Sequence, residues 1–466
     1  MTSLLEREAK ITAAPAPAPA NIFLTGAHAP MTGELTIEDL PVIGTIPAAL
    51  DGRYLRIGPN PMAADPGNYH WFAGDGMIHG LRIEQGRALW YRNRWVRSAA
   101  VARALGEEPR PGPVHGEMDF AANTHVVGQA GRTFAIVEAG SRPYELTDEL
   151  DTVGPCDFDG TLPGGYTAHP KRDPRTGELH ALSYYWGWGD KVQYSVLGTD
   201  ARVRRTVDIE VPGNPMMHDF SLTEGHIVFY DLPVTFDFDK AARGTLPYTW
   251  NPDHPSRVGV MDREGDGSVV QWFEVEPCYV YHPLNAYEDG EDRIVLDVVR
   301  HPSTFRTDHN GPNEGPSQLH RWTLDRDSGK VVEELLDDHS QEFPRVDDRT
   351  VGRRHRYGYS VGLVGEPGPP YGDIGIVSKG LLKHDLVAGR TQERSFGPGT
   401  EPAEFVFVPD GPDAAEDGGV LLGYVYDRAT DRSDLVILDA ATLEDVARVH
   451  LPTRVPVGFH GSWIAT

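Results

Sequence analysis

Short apolar or alternating runs, each closed by Gly, Asp or Asn, recur along this chain at near-regular intervals. Gly80–Glu84 and Arg87–Arg92 alternate around Gln85-Gly86, and Val258–Met261 and Val269–Val275 flank the turn DREGDG. Leu319–Leu324 and Val331–Leu335 flank DRDSG, while Val420–Tyr426 and Leu435–Leu438 flank DRATDRSD. Runs of this kind bounded by turn residues are the signature of β-hairpins. The 51 glycines and 38 prolines fall in turn-like clusters throughout, which works against long helices. Helical spacing is confined to Ser98–Leu105 and Phe238–Arg243, with one turn's worth at Ala441–Val446. An all-β fold follows, as a sandwich, a barrel or a propeller. Four-stranded blades take about 40–50 residues each, so 466 residues suit seven or eight of them with insertions. No WD or kelch repeat is present; size and hairpin density favour the propeller.

The stretch Thr12–Ala20, TAAPAPAPA, favours extended, flexible backbone. Residues 1–20 are expected to be a tail and 21–466 a single propeller domain, because no comparable linker follows; Pro409–Gly419 reads as a charged loop. With 43 basic and 69 acidic residues the formal charge is −26, which repels phosphate backbones and anionic lipid and disfavours nucleic-acid binding. Cys156 and Cys278 form no C-x-x-C pair, so neither a thiolate metal site nor a disulfide framework has support, and a reducing compartment fits. Met1–Lys10 carries Glu6, Arg7, Glu8 and Lys10 with no apolar core behind them, unlike a secretory signal. No segment approaches the roughly 20 apolar residues of a bilayer span. The expectation is a cytoplasmic protein with at most transient membrane contact.

Nineteen histidines are present, and a structural histidine is the default. The absence of H-E-x-x-H, G-x-x-x-x-G-K-[ST] and G-x-S-x-G removes support for zincin, P-loop and hydrolase-elbow chemistry. Four histidines differ in having compact, low-polarity frames: His169 in YTAHPK, His218 in NPMMHDF, His282 in CYVYHPLNAYED and His460 in VPVGFHGSW. His218 follows His169 by 49 residues, His282 follows after 64 more and His460 after a further 178. These gaps match about one, one and three blades. Inner strands of successive blades face one axis, so such positions can meet at one metal. Gly74-Asp75-Gly76 reads as a tight turn, His79 as a residue packed at the propeller centre rather than a fifth ligand, and Asp219 as an acceptor for backbone N–H groups.

The motifs around these histidines resemble the carotenoid cleavage oxygenases, a family that includes stilbene- and phenylpropene-cleaving dioxygenases. The likeness runs from about Gly52 to the C-terminus through GRYLRIGPNP, HWFAGDGMIHG, FDGTLPGGYTAHPK, MMHDF, FEVEPCYVYHPLNAYED, EFPRVD, PAEFVFVP and VPVGFHG, in that order. Ile57 stands where the family usually carries Asn before GPNP, outside the metal motifs. The resemblance implies a seven-bladed β-propeller under a dome of loops and short helices. It implies iron(II) on the axis, held by His169, His218, His282 and His460. It also implies three glutamates behind the ligands: Glu138 in AIVEAG, Glu342 in QEFPRV and Glu404 in EPAEFVF. The expected pairs are Glu138 with His218, Glu342 with His282 and Glu404 with His460.

The residue types suit that chemistry. Neutral imidazole binds iron(II) well, and four nitrogens leave two octahedral positions open for oxygen. A carboxylate that accepts a ligand's distal N–H fixes its tautomer and returns electron density to the metal. The expected activity is an Fe(II)-dependent dioxygenase, one iron per chain and molecular oxygen as co-substrate, that cleaves the C=C bond of an apolar alkene into two carbonyl products. A carotenoid or apocarotenoid is the first substrate expectation, and a stilbene or phenylpropene of the isoeugenol or 4-vinylguaiacol kind the second. Stilbene-cleaving relatives carry a lysine just before the Glu of the AIVEAG motif to meet a phenolic oxygen, where this chain has Val137. The pool for a substrate tunnel is Phe72, Trp95, Phe120, Val137, Tyr166, Tyr185, Trp186, Trp188, Phe236, Tyr281, Phe305 and Trp463. Ser98–Leu105 and Val234–Leu246 are candidate membrane rims, although neither carries a band of large apolar residues. Two other classes compete: a calcium-dependent propeller hydrolase, which needs converging Asp, Asn and Glu ligands, and a propeller that only binds a partner, its histidines structural.

Overall fold

A computed structural model describes residues 21–466 except 120, 310, 313 and 365–376. The expected N-terminal tail and Phe120 lie outside the described residues. Seven antiparallel sheets are set as the blades of a propeller. In blade 1 the inner strand is Gly461–Ala465, followed outward by Gly52–Pro59, Gly76–Glu84, Arg87–Trp95 and Leu35–Glu38. Blades 2 to 6 each use one continuous stretch, with inner strands His125–Gln129, Lys171–Arg172, Phe220–Leu222, Tyr279–Glu288 and Gln341–Arg345. Blade 7 begins with Thr400–Pro402 and Val406–Pro409 and continues through Gly419–Asp427, Arg432–Asp439 and Asp445–His450. The strand Val42–Gly44 adds to its outer edge. The ring is therefore latched twice, by a C-terminal strand inside the first blade and an N-terminal strand outside the last.

The four hairpins expected from sequence pair in antiparallel register, as in Leu324–Val331 of blade 5. The two short helices also form, at Ala99–Ala104 and Phe238–Ala242. Ser98 caps the first through Val101 N, and Asp237 caps the second through Asp239 N and Lys240 N. The helical turn expected at Ala441–Val446 does not form. Asp439 accepts from the Thr442 N–H and hydroxyl, Leu443 takes a φ of 61°, and the chain reverses directly into Asp445–His450.

Adjacent blades are held together by large buried side chains. Tyr54 of blade 1 meets Tyr424 of blade 7 edge-on at 5.1 Å, and the fully buried Trp322 of blade 5 faces Tyr230 of blade 4 at 6.3 Å. Each such ring contributes roughly 2–3 kcal/mol of apolar burial. His79 also belongs to this interior and not to the propeller centre. It sits on Gly76–Glu84, two strands out from the inner edge, where its Nδ1 lies 2.9 Å from the Tyr91 hydroxyl. On one face of the ring, the small sheet Val234–Phe236 with Tyr248–Trp250 and the short turn Trp71–Ala73 cover the axis.

Candidate metal centre

Each of the four singled-out histidines stands where an inner strand starts or bends. His169 and His218 lie two residues before Lys171–Arg172 and Phe220–Leu222, and His460 immediately before Gly461–Ala465. His282 is inside Tyr279–Glu288, where the register shifts between Val280 and Pro283. Proline follows both His169 and His282 and withholds a ladder donor, which frees the histidine position from regular pairing. Blades 3, 4, 5 and 1 supply the four, so the gaps along the chain are one, one and three blades.

The side chains converge. His169 Nε2 lies 3.0 Å from His218 Nε2, which lies 3.2 Å from His282 Nε2, and one nitrogen from each of the four falls within 4.8 Å of the others. All four are buried. Outer nitrogens meet carboxylates. His282 Nδ1 donates to Glu342 Oε2 at 2.5 Å and His460 Nδ1 to Glu404 Oε1 at 2.9 Å. His218 Nδ1 and Glu138 Oε2 are 2.7 Å apart, close but off the line of a hydrogen bond. His169 has no such partner: Asp219 Oδ2 is 3.8 Å from its Nδ1. Asp219 instead accepts the Phe220 N–H at 2.7 Å and pairs with Lys171 Nζ at 2.8 Å.

Burial, reinforced by the neighbouring imidazoles and Lys171, holds His169 well below the usual imidazole range. Burial does the same at His460, against the pull of Glu404. At His218 burial is outweighed by Glu138, and its pKa is raised. The Glu342 and Glu404 carboxyls resist burial and stay well below the usual range, Glu342 through His282 and His301, Glu404 through Arg345 and His460. The result is a nest of inward-facing imidazole acceptors backed by ionised carboxylates. Lone pairs facing one another at about 3 Å repel unless a cation sits among them, so the donor set fits a divalent metal that accepts nitrogen ligands.

Three further residues complete the frame and escaped the sequence reading. Arg345 binds both oxygens of Glu404, at 2.8 and 3.1 Å, and the Gly461 carbonyl at 2.7 Å. His301 Nε2 donates to the second oxygen of Glu342 at 2.8 Å. His125, on the inner strand of blade 2, contacts the Ala168 and Gly461 carbonyls, which neighbour His169 and His460. Arg345 had a signal in sequence, since it is a cation three residues after Glu342 in the motif EFPRV; His125 in NTHVVG had none. Phe343 takes a φ of 56° between Glu342 and the bulge before Arg345, and its ring lies against His282 and His460 at 5.7 and 5.3 Å. A bulky residue in this left-handed conformation is a strained one, found here beside the histidine cluster.

Two cavities reach the cluster. One, of about 300 Å³ and apolar, opens under the dome beside His218, His282 and His460. Of the aromatic pool, Phe72, Trp186, Phe236 and Tyr281 line it, together with Val137. His70, Trp71, Thr124, Met216, Tyr184, Tyr248 and Phe459 also line it and had not been singled out. The remaining pool lies elsewhere. Trp95 is packed with Met77 and Val101, its Nε1 bonded to the Asn60 carbonyl; Tyr166 stacks edge-on with Phe158; Phe305 stands behind Phe72; Tyr185 and Trp188 pack on His115. Trp463 lines the second cavity, of about 490 Å³, which approaches the cluster along the ring's interior from His125, His169, His282 and His460.

These features define a seven-bladed propeller whose four buried, converging histidines could hold a metal ion. Residues 28–465 match the family described as retinal pigment epithelial membrane protein. The chain is 51 % identical to the carotenoid cleavage oxygenase of Mycobacterium tuberculosis, covering 98 % of this chain and 100 % of that one. It is 32 % identical to the carotenoid 9,10(9',10')-cleavage dioxygenase of Crocus sativus, covering 95 % and 89 %. Among solved structures, lignostilbene dioxygenase of Pseudomonas brassicacearum superposes with a TM-score of 0.85 at 29 % identity over 97 % of this chain and all of that one. Cobalt-substituted apocarotenoid oxygenase of Synechocystis gives 0.83 at 27 % identity over 94 % and 97 %. The chain belongs to the carotenoid cleavage oxygenase family and is an oxygenase. The competing hydrolase and binding-only classes find no counterpart in these relatives.

Proposed function

We propose that the chain is an iron(II)-dependent dioxygenase that cleaves a C=C bond of a carotenoid or apocarotenoid into two carbonyl products. His169, His218, His282 and His460 are the proposed ligands of one iron per chain, with molecular oxygen as co-substrate. The observation that carries this reading is the convergence of four buried imidazoles within 4.8 Å on the floor of an apolar cavity. Iron(II), when bound, supplies the oxygen activation.

The chain's own residues do the rest. Glu342 and Glu404 accept the outer protons of His282 and His460 and so keep those two rings in the tautomer that presents Nε2 inward, while Glu138 stands against His218. Phe72, Phe236, Tyr281, Phe343 and Phe459 give flat apolar walls that orient an alkene and exclude water. Val137 beside Glu138 offers no charge to a phenolic oxygen, which favours a polyene; the structural likeness to a lignostilbene dioxygenase keeps a stilbene or phenylpropene as the second reading. Residues 21–466 are read as one catalytic domain, since strands from both ends latch the same ring. Phe238, 62 % exposed, with exposed Ala241 and Ala242 and half-buried Leu246, offers a small apolar rim for brief contact with a membrane carrying the substrate. No helix among the described residues is long and apolar enough to cross one. Two free buried cysteines accord with a reducing cytoplasm.

The test is iron-loaded protein in labelled oxygen with carotenoids, apocarotenoids, stilbenes and phenylpropenes, the products identified by mass spectrometry. Labelled carbonyl products from a polyene are expected. Absence of cleavage and of oxygen uptake across the whole panel, at full iron content, would sink the reading.

A further inference from the structure

The two cavities that meet at the histidines differ in kind. The dome-side cavity is walled by aromatic rings, and its charged groups, Glu138 and Glu342, are at the cluster itself. A hydrated divalent ion crossing it would lose its water with nothing to replace it, at a cost of many kcal/mol. The larger interior cavity mixes apolar side chains with charged ones along its length: Arg132, Lys171, Arg172, Arg345 and Arg349, and Asp219, Asp347, Asp348 and Glu404.

These charges are nearly balanced in pairs. Lys171 binds Asp219 at 2.8 Å, Arg345 binds Glu404 at 2.8 Å and Arg349 binds Asp347 at 2.6 Å. Arg172 is held by three oxygens, Gln129 Oε1 and the Gly128 and Gly177 carbonyls. Asp348 makes no side-chain hydrogen bond or ion pair among the described residues; it feels the charges of Arg345, Arg172 and Lys171 and keeps its side chain solvent-accessible. Arg132 is likewise paired, with Glu145 at 2.6 Å. A conduit that offers charged groups already paired with one another passes an ion without trapping it, the condition for a path as opposed to a site.

We infer that the ferrous ion enters and leaves through this interior channel, past Asp348 and Ser462, and not through the substrate cavity; the inference rests on the iron reading above. Ser462 is placed at the inner end, its hydroxyl 3.4 Å from His125 Nε2 and two residues beyond His460. A consequence is that the apolar cavity can be matched to a water-insoluble substrate without also serving metal loading.

The experiment is the rate at which iron leaves the holoenzyme when released Fe(II) is trapped by a coloured hydrophilic chelator. Iron content is measured first, so a failure to bind iron at all is a failure of the functional reading and is seen separately. Asp348→Arg adds two units of positive charge to the channel and is expected to slow release about fivefold or more at low salt, an effect that shrinks as salt screens it. Ser462→Trp is expected to slow release by obstruction. Trp186→Ala opens the mouth of the apolar cavity and is expected to leave the rate unchanged. Wild-type release from Asp348→Arg at low salt, or release accelerated by Trp186→Ala, overturns the proposal. Should Ser462→Trp fail to fold or retain iron, the Asp348 and Trp186 variants still decide it.

Discussion

Arg345 grips Glu404 with two nitrogens, at 2.8 and 3.1 Å, while the same carboxylate receives His460 Nδ1 at 2.9 Å. An interior ion pair thus sits one step behind a proposed ligand and fixes both its ring and, through Gly461, its backbone. Arg345→Met leaves the Glu404 carboxylate buried without its cation. A stability loss of about 3 kcal/mol is expected, with metal affinity reduced about 10–100-fold. Chemical unfolding and a metal titration of the purified variant measure the two effects separately.

His282→Ala removes one imidazole from the cluster and one partner from Glu342, which keeps His301. Iron content and turnover are both expected to collapse while the far-UV spectrum stays native. Full activity in this variant would exclude His282 as a ligand.

Gly458 and Gly58 cross in near contact where the His460 segment passes blade 1. A Cβ on Gly458 would meet Gly58 Cα at 2.9 Å, a backbone atom that cannot rotate away. Arg56 and Ile57 hold the same crossing through the Gly458 and His460 carbonyls. Gly458→Ala is expected to destabilise the protein by about 1–3 kcal/mol, the range for overpacking a fixed interior, and to lower its melting temperature.

His79 lies in the blade interior, and burial beside Arg56 lowers its pKa from 6.5 to about 3. The unfolded chain therefore takes up a proton at this site that the folded chain refuses. Its contribution to stability is complete above the unfolded value and is lost as pH falls from about 6.5 towards 3, by about 3 kcal/mol at pH 4. His79→Gln should flatten the dependence of unfolding free energy on pH across that window relative to the parent; an unchanged slope would show that His79 titrates normally.

Val137 lines the substrate cavity next to Glu138 and is buried. Placing an amine there gives a phenolic hydroxyl a partner and gives a hydrocarbon chain an unpaired polar group to bury. Val137→Lys is expected to move the ratio of kcat/KM for a 4-hydroxystilbene over an apocarotenal upward by roughly tenfold or more, read from initial rates on the two substrates.

Much of this protein lay open in its linear order. Turn residues at short intervals specify hairpins, because the chain reverses wherever Gly, Asp or Asn makes reversal cheap. The frames of His169, His218, His282 and His460 and their blade-sized gaps singled out the residues that the ring brings together, and the motif order brought Glu138, Glu342 and Glu404 to their sides. Tertiary structure alone decided which aromatics see the cavity. Phe72 and Phe236 come from dome segments more than 160 residues apart that meet over the ring, whereas Trp95 and Tyr166 are taken into packing and Trp463 faces the other cavity. Likewise His79 and His125 both lie on apolar strands, yet only His125 is on an inner one, because Gly52–Pro59 and the C-terminal strand both lie inside the strand that carries His79. Period and turn chemistry determine how a segment folds on itself; which side chain faces a void depends on what closes against it, and that partner is set by ring closure across the whole chain.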